Sequence, residues 1–132
     1  MPGRLPRLTR RAEFLRAAAK GRKAARPGLV LQALPQPGGG LRLGFTATKK
    51  IGGAVVRNRA KRRLREAARL TLAATPPPPG VDGLGWDLVL IARDATAKRP
   101  FLQLLGDLRG ALRQTGVMPA TVSPGTVAGP VA

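Results

Sequence analysis

The chain has 132 residues, of which 24 are Lys or Arg and 6 are Asp or Glu, so its formal charge is +18 at pH 7. This length fits a single domain. Because the sequence contains no Cys and no His, zinc fingers, disulfide frameworks and His-dependent triads are excluded. The absence of cysteine is compatible with a reducing compartment, and we expect a cytoplasmic protein.

The positive charge is concentrated in the first half of the chain. Residues 1–70 carry 19 basic and 2 acidic side chains, whereas residues 71–132 carry 5 and 4. Eighteen of the basic residues are Arg, whose planar guanidinium binds phosphate through two hydrogen bonds. A polyanion is therefore the expected partner, with nucleic acid favoured over an anionic membrane surface. No uncharged run is long and apolar enough to span a bilayer, and no apolar signal core follows the basic start, so we expect no membrane partner.

The first half of the chain predicts one helix and two strands. Thr9 is placed to cap a helix over residues 10–20. Residues 29–34 suit a strand, and residues 41–48 alternate apolar and polar side chains as a half-exposed strand does. Residues 35–40, Pro-Gln-Pro-Gly-Gly-Gly, predict a hairpin connection that pairs these two strands.

The second half predicts two further helices and a buried strand. A helix is expected over residues 57–74, ending before a run of four prolines. Residues 86–92 are almost continuously apolar, which is typical of a strand covered on both faces. Pro100 begins a final helix that Gly116 ends. A short extra strand would fit near residues 49–51.

This order, α-β-β-(β)-α-β-α, predicts an α/β (α+β) domain with a small mixed sheet packed against helices. We assign residues 1–115 to that domain. Residues 116–132 are rich in Pro, Gly, Ala and Val and are predicted to form a disordered tail.

The second predicted helix is basic around most of its circumference. Its apolar side chains, including Ala60, Leu64 and Ala67, fall on one side, and Glu66 is its only acid. The other sides carry Arg59, Lys61, Arg62, Arg63, Arg65 and Arg69. With almost no internal salt bridges available, this surface favours an external partner over a solvated charged face. Free N–H groups near Arg57 would add to phosphate binding, and two lysines lie just upstream.

Residues 43–66 read LGFTATKKIGGAVVRNRAKRRLRE. This stretch resembles the protein subunit of bacterial ribonuclease P, in which Lys-Lys, Gly, Ala-Val, Arg-Asn-Arg, Lys-Arg and Arg-Glu at this spacing form a signature. The order of elements agrees with that family over roughly residues 4–115.

The resemblance implies the fold of ribosomal protein S5 domain 2, with a left-handed β-α-β crossover. It implies an RNA-binding subunit that binds the catalytic RNA of ribonuclease P and the 5′ leader of precursor tRNA. In that family the RNA, with bound Mg²⁺, removes the leader endonucleolytically. No cofactor is then held by the protein alone, no catalytic residue lies in this chain, and no obligate protein partner is needed.

The resemblance also assigns residues to the two RNA surfaces. Contacts to the catalytic RNA are expected from Lys49, Lys50, Arg57, Asn58, Arg59, Lys61, Arg62, Arg65 and Arg69. A cleft between the first helix and the sheet is expected to bind the leader through Arg11, Phe14, Lys20, Arg22 and Lys23. For Phe14 a role in the core is an equally good interpretation. Members of the family often have a second aromatic residue where this chain has Ala18.

Three alternative functions remain at this stage. Another RNA-binding protein, such as a ribosomal protein, would have the same composition. A sequence-specific DNA-binding regulator needs uncharged readers on its recognition helix, and only Asn58 qualifies. An independent nuclease is disfavoured because the six carboxylates are widely spread and show no paired metal-ligand spacing.

Overall fold

The fold is known from a computed structural model that describes residues 6–73, 77 and 83–118. The helices are α1 (Arg11–Lys20), α2 (Ala54–Ala68) and α3 (Phe101–Gln114), and the strands are β1 (Arg22–Arg26), β2 (Leu29–Gln36), β3 (Leu41–Thr46) and β4 (Gly85–Ala92). A 3-10 turn, Lys49–Ile51, precedes α2, and a π-helical turn, Arg69–Ala73, follows it. The end of the second helix predicted at residue 74 lies outside the described residues, as does most of the predicted tail. No helix in the described ranges combines the length and apolar character that crossing a bilayer requires.

The four strands form one mixed sheet in the order β1-β2-β4-β3. β2 is antiparallel to both β1 and β4, whereas β3 and β4 run parallel. Helix α2 therefore links two neighbouring parallel strands as a β-α-β unit. The predicted α+β class is confirmed, and the left hand of the crossover stays a prediction.

The predicted hairpin between the second and third strands is wrong. β4 lies between β2 and β3 and pairs with both. Every residue of β4 except Ile91 is buried, and a strand of this apolar character belongs in the middle of a sheet with neighbours on both sides. The flexible connection at residues 37–40 is compatible with β2 and β3 lying two strand positions apart.

The extra strand predicted near residues 49–51 is also wrong, because these residues form the 3-10 turn. The additional strand is β1, an edge strand that pairs with β2 across a turn at Pro27 and Gly28. Its sequence, Arg-Lys-Ala-Ala-Arg, has no apolar alternation to indicate a strand.

Two helix starts differ from the prediction. α1 begins at Arg11, and the Glu13 carboxylate, rather than the Thr9 hydroxyl, satisfies the free donors by accepting the N–H groups of Thr9 (3.1 Å) and Arg10 (3.0 Å). α2 begins three residues earlier than expected, at Ala54, after Gly53 at the N-cap position.

The sheet is covered unequally on its two faces. α2 and α3 pack on one face over the main core, which includes Leu31, Leu64, Leu88 and Leu108, all fully buried. α1 packs on the other face over a small cluster of Leu8, Ala17 and Val89. The face under α1 is thus held by much less apolar contact than the face under α2 and α3.

Candidate nucleic-acid interface

The exposed side of α2 presents a straight stripe of polar and basic residues. Asn58, Arg62 and Arg65 follow one another at intervals of four and three residues, which places them on one side of α2. Arg69, four residues after Arg65, continues this line at the start of the π-helical turn. All four are exposed. The buried residues Ala60, Leu64, Ala67 and Ala68 occupy the opposite side. We call these four exposed residues the α2 stripe.

Most cations of this surface have no acidic partner. Arg62, Arg65 and the flanking Arg59 and Lys61 form no ion pair with a carboxylate of the described residues. Only Arg69 does, binding Glu66 at 2.6 Å, an exposed contact that lowers the pKa of Glu66 and raises that of Arg69. Because like charges repel on a helix surface, the α2 stripe gains stability from an external anion.

Arg63 does not belong to this basic surface, contrary to the sequence prediction. Its guanidinium donates hydrogen bonds to the carbonyl oxygens of Thr96, at 2.9 Å, and of Arg99. It also lies over the ring of Phe101, 5.8 Å from the centroid. Burial, and secondarily the charge of Arg59, lowers the pKa of Arg63. Arg63 thus ties α2 to the start of α3.

The start of α2 also differs from expectation. Since Arg57 N–H already donates to Gly53 carbonyl oxygen at 3.0 Å, the free N–H groups of the first turn belong to residues 54–56 and not to the region of Arg57. Lys49 and Lys50 are exposed on the 3-10 turn just before. Gly52 permits the change of direction with a φ of 142°, where a Cβ would lie 3.0 Å from Val56. The structure therefore brings both lysines to the N-terminal end of α2.

On the other face of the sheet, Phe14 is half-buried against β3. Gly44 provides the space, because a Cβ at that position would lie 2.5 Å from Cε1 of Phe14. The ring also packs against the small cluster under α1. Ala18, one turn later, is exposed. The core and surface interpretations of Phe14 each describe part of its environment.

The other predicted leader-binding residues fall on both faces of the sheet. Arg11 and Lys20 are exposed on α1. Lys23 is exposed and pairs in register with Gln32, on the face that α1 covers. Arg22 belongs to the opposite face, because its Nη1 donates to the carbonyl oxygen of Thr115 at 3.1 Å. The structure does not bring Arg22 to the space between α1 and the sheet.

A network of three charged residues joins α1 to the sheet beside Phe14. Arg42 binds Asp87 with two hydrogen bonds, Nε to Oδ1 at 2.9 Å and Nη2 to Oδ2 at 2.8 Å. Its Nη1 donates to Oε2 of Glu13 at 2.8 Å. Asp87 is 1% exposed. The bonds to Asp87, more than the charge of Glu13, raise the pKa of Arg42. We call these three residues the α1 clamp.

Sequence reasoning missed the clamp and one apolar residue at the α2 surface. Arg42 looks like an ordinary exposed position of an alternating strand, and nothing local connects it to Asp87. Val55 is 83% exposed and lies three residues before Asn58, so it extends the α2 surface with an apolar side chain. The sequence signal that could have revealed Val55 is an apolar residue just before the basic part of the predicted helix.

The acidic side chains are largely engaged by arginines. Glu13 and Asp87 bind Arg42, Glu66 binds Arg69, and Asp107 binds Arg99. Among residues 6–73, 77 and 83–118, no three side chains of the kinds that hold metal ions come together. The arrangement can bind anions on α2 and hold α1 in place.

Comparisons with known proteins agree on one family. Residues 3–116 match the family model described as Ribonuclease P. The ribonuclease P protein component of Gluconacetobacter diazotrophicus is 53% identical over 118 residues, which cover 89% of this chain and 97% of that protein. The protein component of Paramagnetospirillum magneticum is 47% identical over 126 residues, covering 92% and 90%.

Solved structures show the same fold. The structure of the Staphylococcus aureus RNase P protein matches with a TM-score of 0.69 at 27% identity, covering 87% of this chain and 99% of that one. The RNase P protein from Thermotoga maritima matches with a TM-score of 0.64 at 26% identity, covering 79% and 92%. This chain therefore belongs to the family of ribonuclease P proteins, the protein components of the tRNA-processing endoribonuclease ribonuclease P.

Proposed function

We propose that this protein binds the RNA of ribonuclease P through the α2 stripe and its flanking cations, and binds the 5′ leader of precursor tRNA between α1 and the sheet. It assists the RNA- and Mg²⁺-dependent endonucleolytic removal of the leader. The catalytic centre is in the RNA, and the protein contributes binding and positioning.

The observation that carries the first part is the α2 stripe itself. Arg62 and Arg65 lie opposite the packed side of the helix and have no ion pair with the described carboxylates. Arginine guanidinium groups in this state suit phosphate, to which they donate two parallel hydrogen bonds. Each phosphate they neutralise releases condensed counterions, which favours binding most at low salt.

The assignment of the leader rests on the face under α1. A half-buried aromatic ring, Phe14, lies there beside exposed cations at Arg11, Lys20 and Lys23. Single-stranded nucleic acid is bound by this combination, because bases stack on aromatic rings while cations contact the backbone. Arg22 has no part in this proposal, since it donates a hydrogen bond to the carbonyl oxygen of Thr115, just after α3, on the opposite face of the sheet.

The assignment of catalysis to the RNA is supported by the donor chemistry of the chain. Mg²⁺ in phosphoryl-transfer sites is held by carboxylates and phosphate oxygens. In this chain the carboxylates of Glu13, Glu66, Asp87 and Asp107 are engaged by arginines. Phosphate oxygens of the RNA are then the natural ligands, and the protein lowers the repulsion between two RNA molecules.

The test is a reconstitution of the full chain with its own RNA subunit and a precursor tRNA. We expect no cleavage by the protein alone, slow cleavage by the RNA alone at high Mg²⁺, and cleavage at lower Mg²⁺ when both are present. Polyarginine at equal charge controls for simple screening. Cleavage by RNA-free protein, or a gain that polyarginine reproduces in full, would contradict the proposal.

A further inference from the structure

The face of the sheet that we assign to the leader carries a polar attachment that ordinary RNA binding does not require. α1 has ten residues and buries only Ala17 completely, so apolar contact alone fixes it weakly on the sheet. Backbone hydrogen bonds between Leu43 of β3 and residues Pro6 and Leu8 hold the segment before α1. The α1 clamp adds a side-chain attachment to the helix itself and involves two of the six acidic residues of the chain. The geometry of the clamp indicates that it positions α1 on the sheet.

The clamp engages both of its carboxylates and three of the five N–H donors of Arg42. Arg42 spends Nε and Nη2 on the two oxygens of Asp87 and Nη1 on Glu13. The remaining oxygen of Glu13 accepts the N–H groups of Thr9 and Arg10 at the start of α1. A single guanidinium thereby joins the start of α1 to two parallel strands, β3 and β4, in one geometry.

The clamp and the seat of Phe14 are adjacent on both elements. Glu13 and Phe14 are neighbours on α1, and their partners Arg42 and Gly44 are two residues apart on β3, hence on the same face of the sheet. A side chain at residue 44 would displace the ring, because its Cβ would lie 2.5 Å from Cε1 and 2.8 Å from Cζ of Phe14. The position of the Phe14 ring thus depends on two features. The Arg42–Glu13 contact fixes the adjacent residue of α1, and Gly44 leaves the space that the ring occupies.

We infer that Arg42 and Gly44 are positioning residues for leader recognition. They fix the position of Phe14 on the sheet and do not contact the RNA subunit that binds α2. The inference rests on the proposed leader-binding role of Phe14. We do not assign Arg42 to phosphate binding, because three of its five N–H donors bind carboxylates and its charge faces both Glu13 and Asp87. Lysine cannot replace it, because an ammonium lacks the planar fork that binds Asp87 with two bonds while reaching Glu13.

The experiment compares holoenzymes assembled from the RNA subunit and protein variants. The quantity measured is the ratio of the affinities for precursor tRNA with its leader and for mature tRNA without it. The variants are R42K, E13Q and G44A, with F14A as the direct test of the leader site and D94N as a control at an exposed carboxylate. Affinity for the RNA subunit is measured in parallel, because a general loss of folding lowers it together with everything else.

Stacking on an aromatic side chain is worth enough that F14A should reduce the ratio by about fivefold or more, and R42K, E13Q and G44A by about threefold. Affinity for the RNA subunit should stay within about twofold of the wild type, as should every value for D94N. If F14A lowers the ratio while E13Q and R42K leave it unchanged, Arg42 is not a positioning residue. If F14A also leaves it unchanged, the leader site itself is misplaced and the inference is overturned with it. E13Q, which keeps an oxygen to accept the first N–H groups of α1, decides the matter should R42K or G44A fail to fold.

Discussion

The two regions that we propose to bind RNA use arginine in opposite ways. On the face under α1, Arg42 is paired with both Asp87 and Glu13, and its charge is part of the fold. On α2, Arg62 and Arg65 have no ion pair with any described carboxylate, and their charge is available to a partner. The same residue type therefore stabilises the structure in one region and leaves its charge available in the other, and the difference depends on where the few acids lie.

This contrast also explains why α2 tolerates so much positive charge. Its buried side is fixed in the main core by residues such as Leu64 and Ala67, whereas α1 has only a small cluster beneath it. A helix held by apolar packing does not need its surface charges for attachment. A helix with little apolar packing needs charged contacts for its attachment, and the clamp supplies them to α1.

The largest expected effect tests the structural side of the comparison. Replacing Arg42 with methionine, which has a similar stem, leaves the buried carboxylate of Asp87 without its partner. Breaking a buried pair in this way is strongly destabilising, and because the side chain of Arg42 is 34% exposed we expect a loss of about 2–3 kcal/mol in the free energy of unfolding. Urea unfolding followed by the fluorescence of Trp86 measures it.

The matched control is R69M, which removes an arginine from an exposed pair on α2. Exposed pairs add little to stability, so its unfolding curve should nearly coincide with that of the wild type. Equal losses from R42M and R69M would remove the distinction between structural and available charge.

The second effect tests the binding side of the comparison. R62A/R65A removes from the α2 stripe two cations that pair with none of the described carboxylates, and it should weaken binding to the RNA subunit about tenfold or more near physiological salt. The dependence of log K on log salt should flatten by roughly one unit for each lost contact. Filter binding across a salt series at fixed Mg²⁺ gives both quantities.

Arg63 supplies the control for charge alone. R63A removes a cation from the same helix, but one whose guanidinium is bound to the carbonyl oxygens of Thr96 and Arg99. It should destabilise the fold while leaving the salt dependence of RNA binding unchanged. An unchanged slope for R62A/R65A would mean that those side chains face only solvent.

The elements that follow local rules could be predicted from the sequence. The spacing of Ala60, Leu64 and Ala67 fixes which side of α2 is buried, and the apolar run of β4 requires cover on both faces. The charge of residues 1–70 and the excess of arginine predict a polyanionic partner, with nucleic acid favoured over an anionic membrane surface. The signature of residues 43–66 then identifies the family, which the comparisons confirm.

What depends on distant partners could not be predicted. Local rules favour a hairpin between β2 and β3, which are neighbours in the sequence. Instead β4, some 40 or more residues further along the chain, pairs with both strands, because the central position buries its apolar side chains. Arg42 and Asp87 are 45 residues apart, and Arg63 and Thr96 are 33 apart. No spacing rule reveals such contacts, so the division of the arginines into structural and available groups required the fold.

The smallest expected effect concerns pH and compares the two acids that bind arginines on helices. The N–H of Arg10, followed by that of Thr9 and the charge of Arg42, lowers the pKa of Glu13 below its ordinary value of 4.5, and the hydrogen bond from Arg69 does the same for Glu66. A carboxyl whose pKa is lowered by folding adds stability above its unfolded pKa and loses it as the pH falls through the folded value. E13Q should therefore cost stability at neutral pH, and the difference from the wild type should shrink below about pH 4.5.

Because Glu13 also holds the start of α1 and Glu66 bonds only along an exposed helix, E66Q should show the same trend with a smaller amplitude. Thermal unfolding at several pH values gives the two curves, and a larger amplitude for E66Q would place the structural charge on α2 instead of α1.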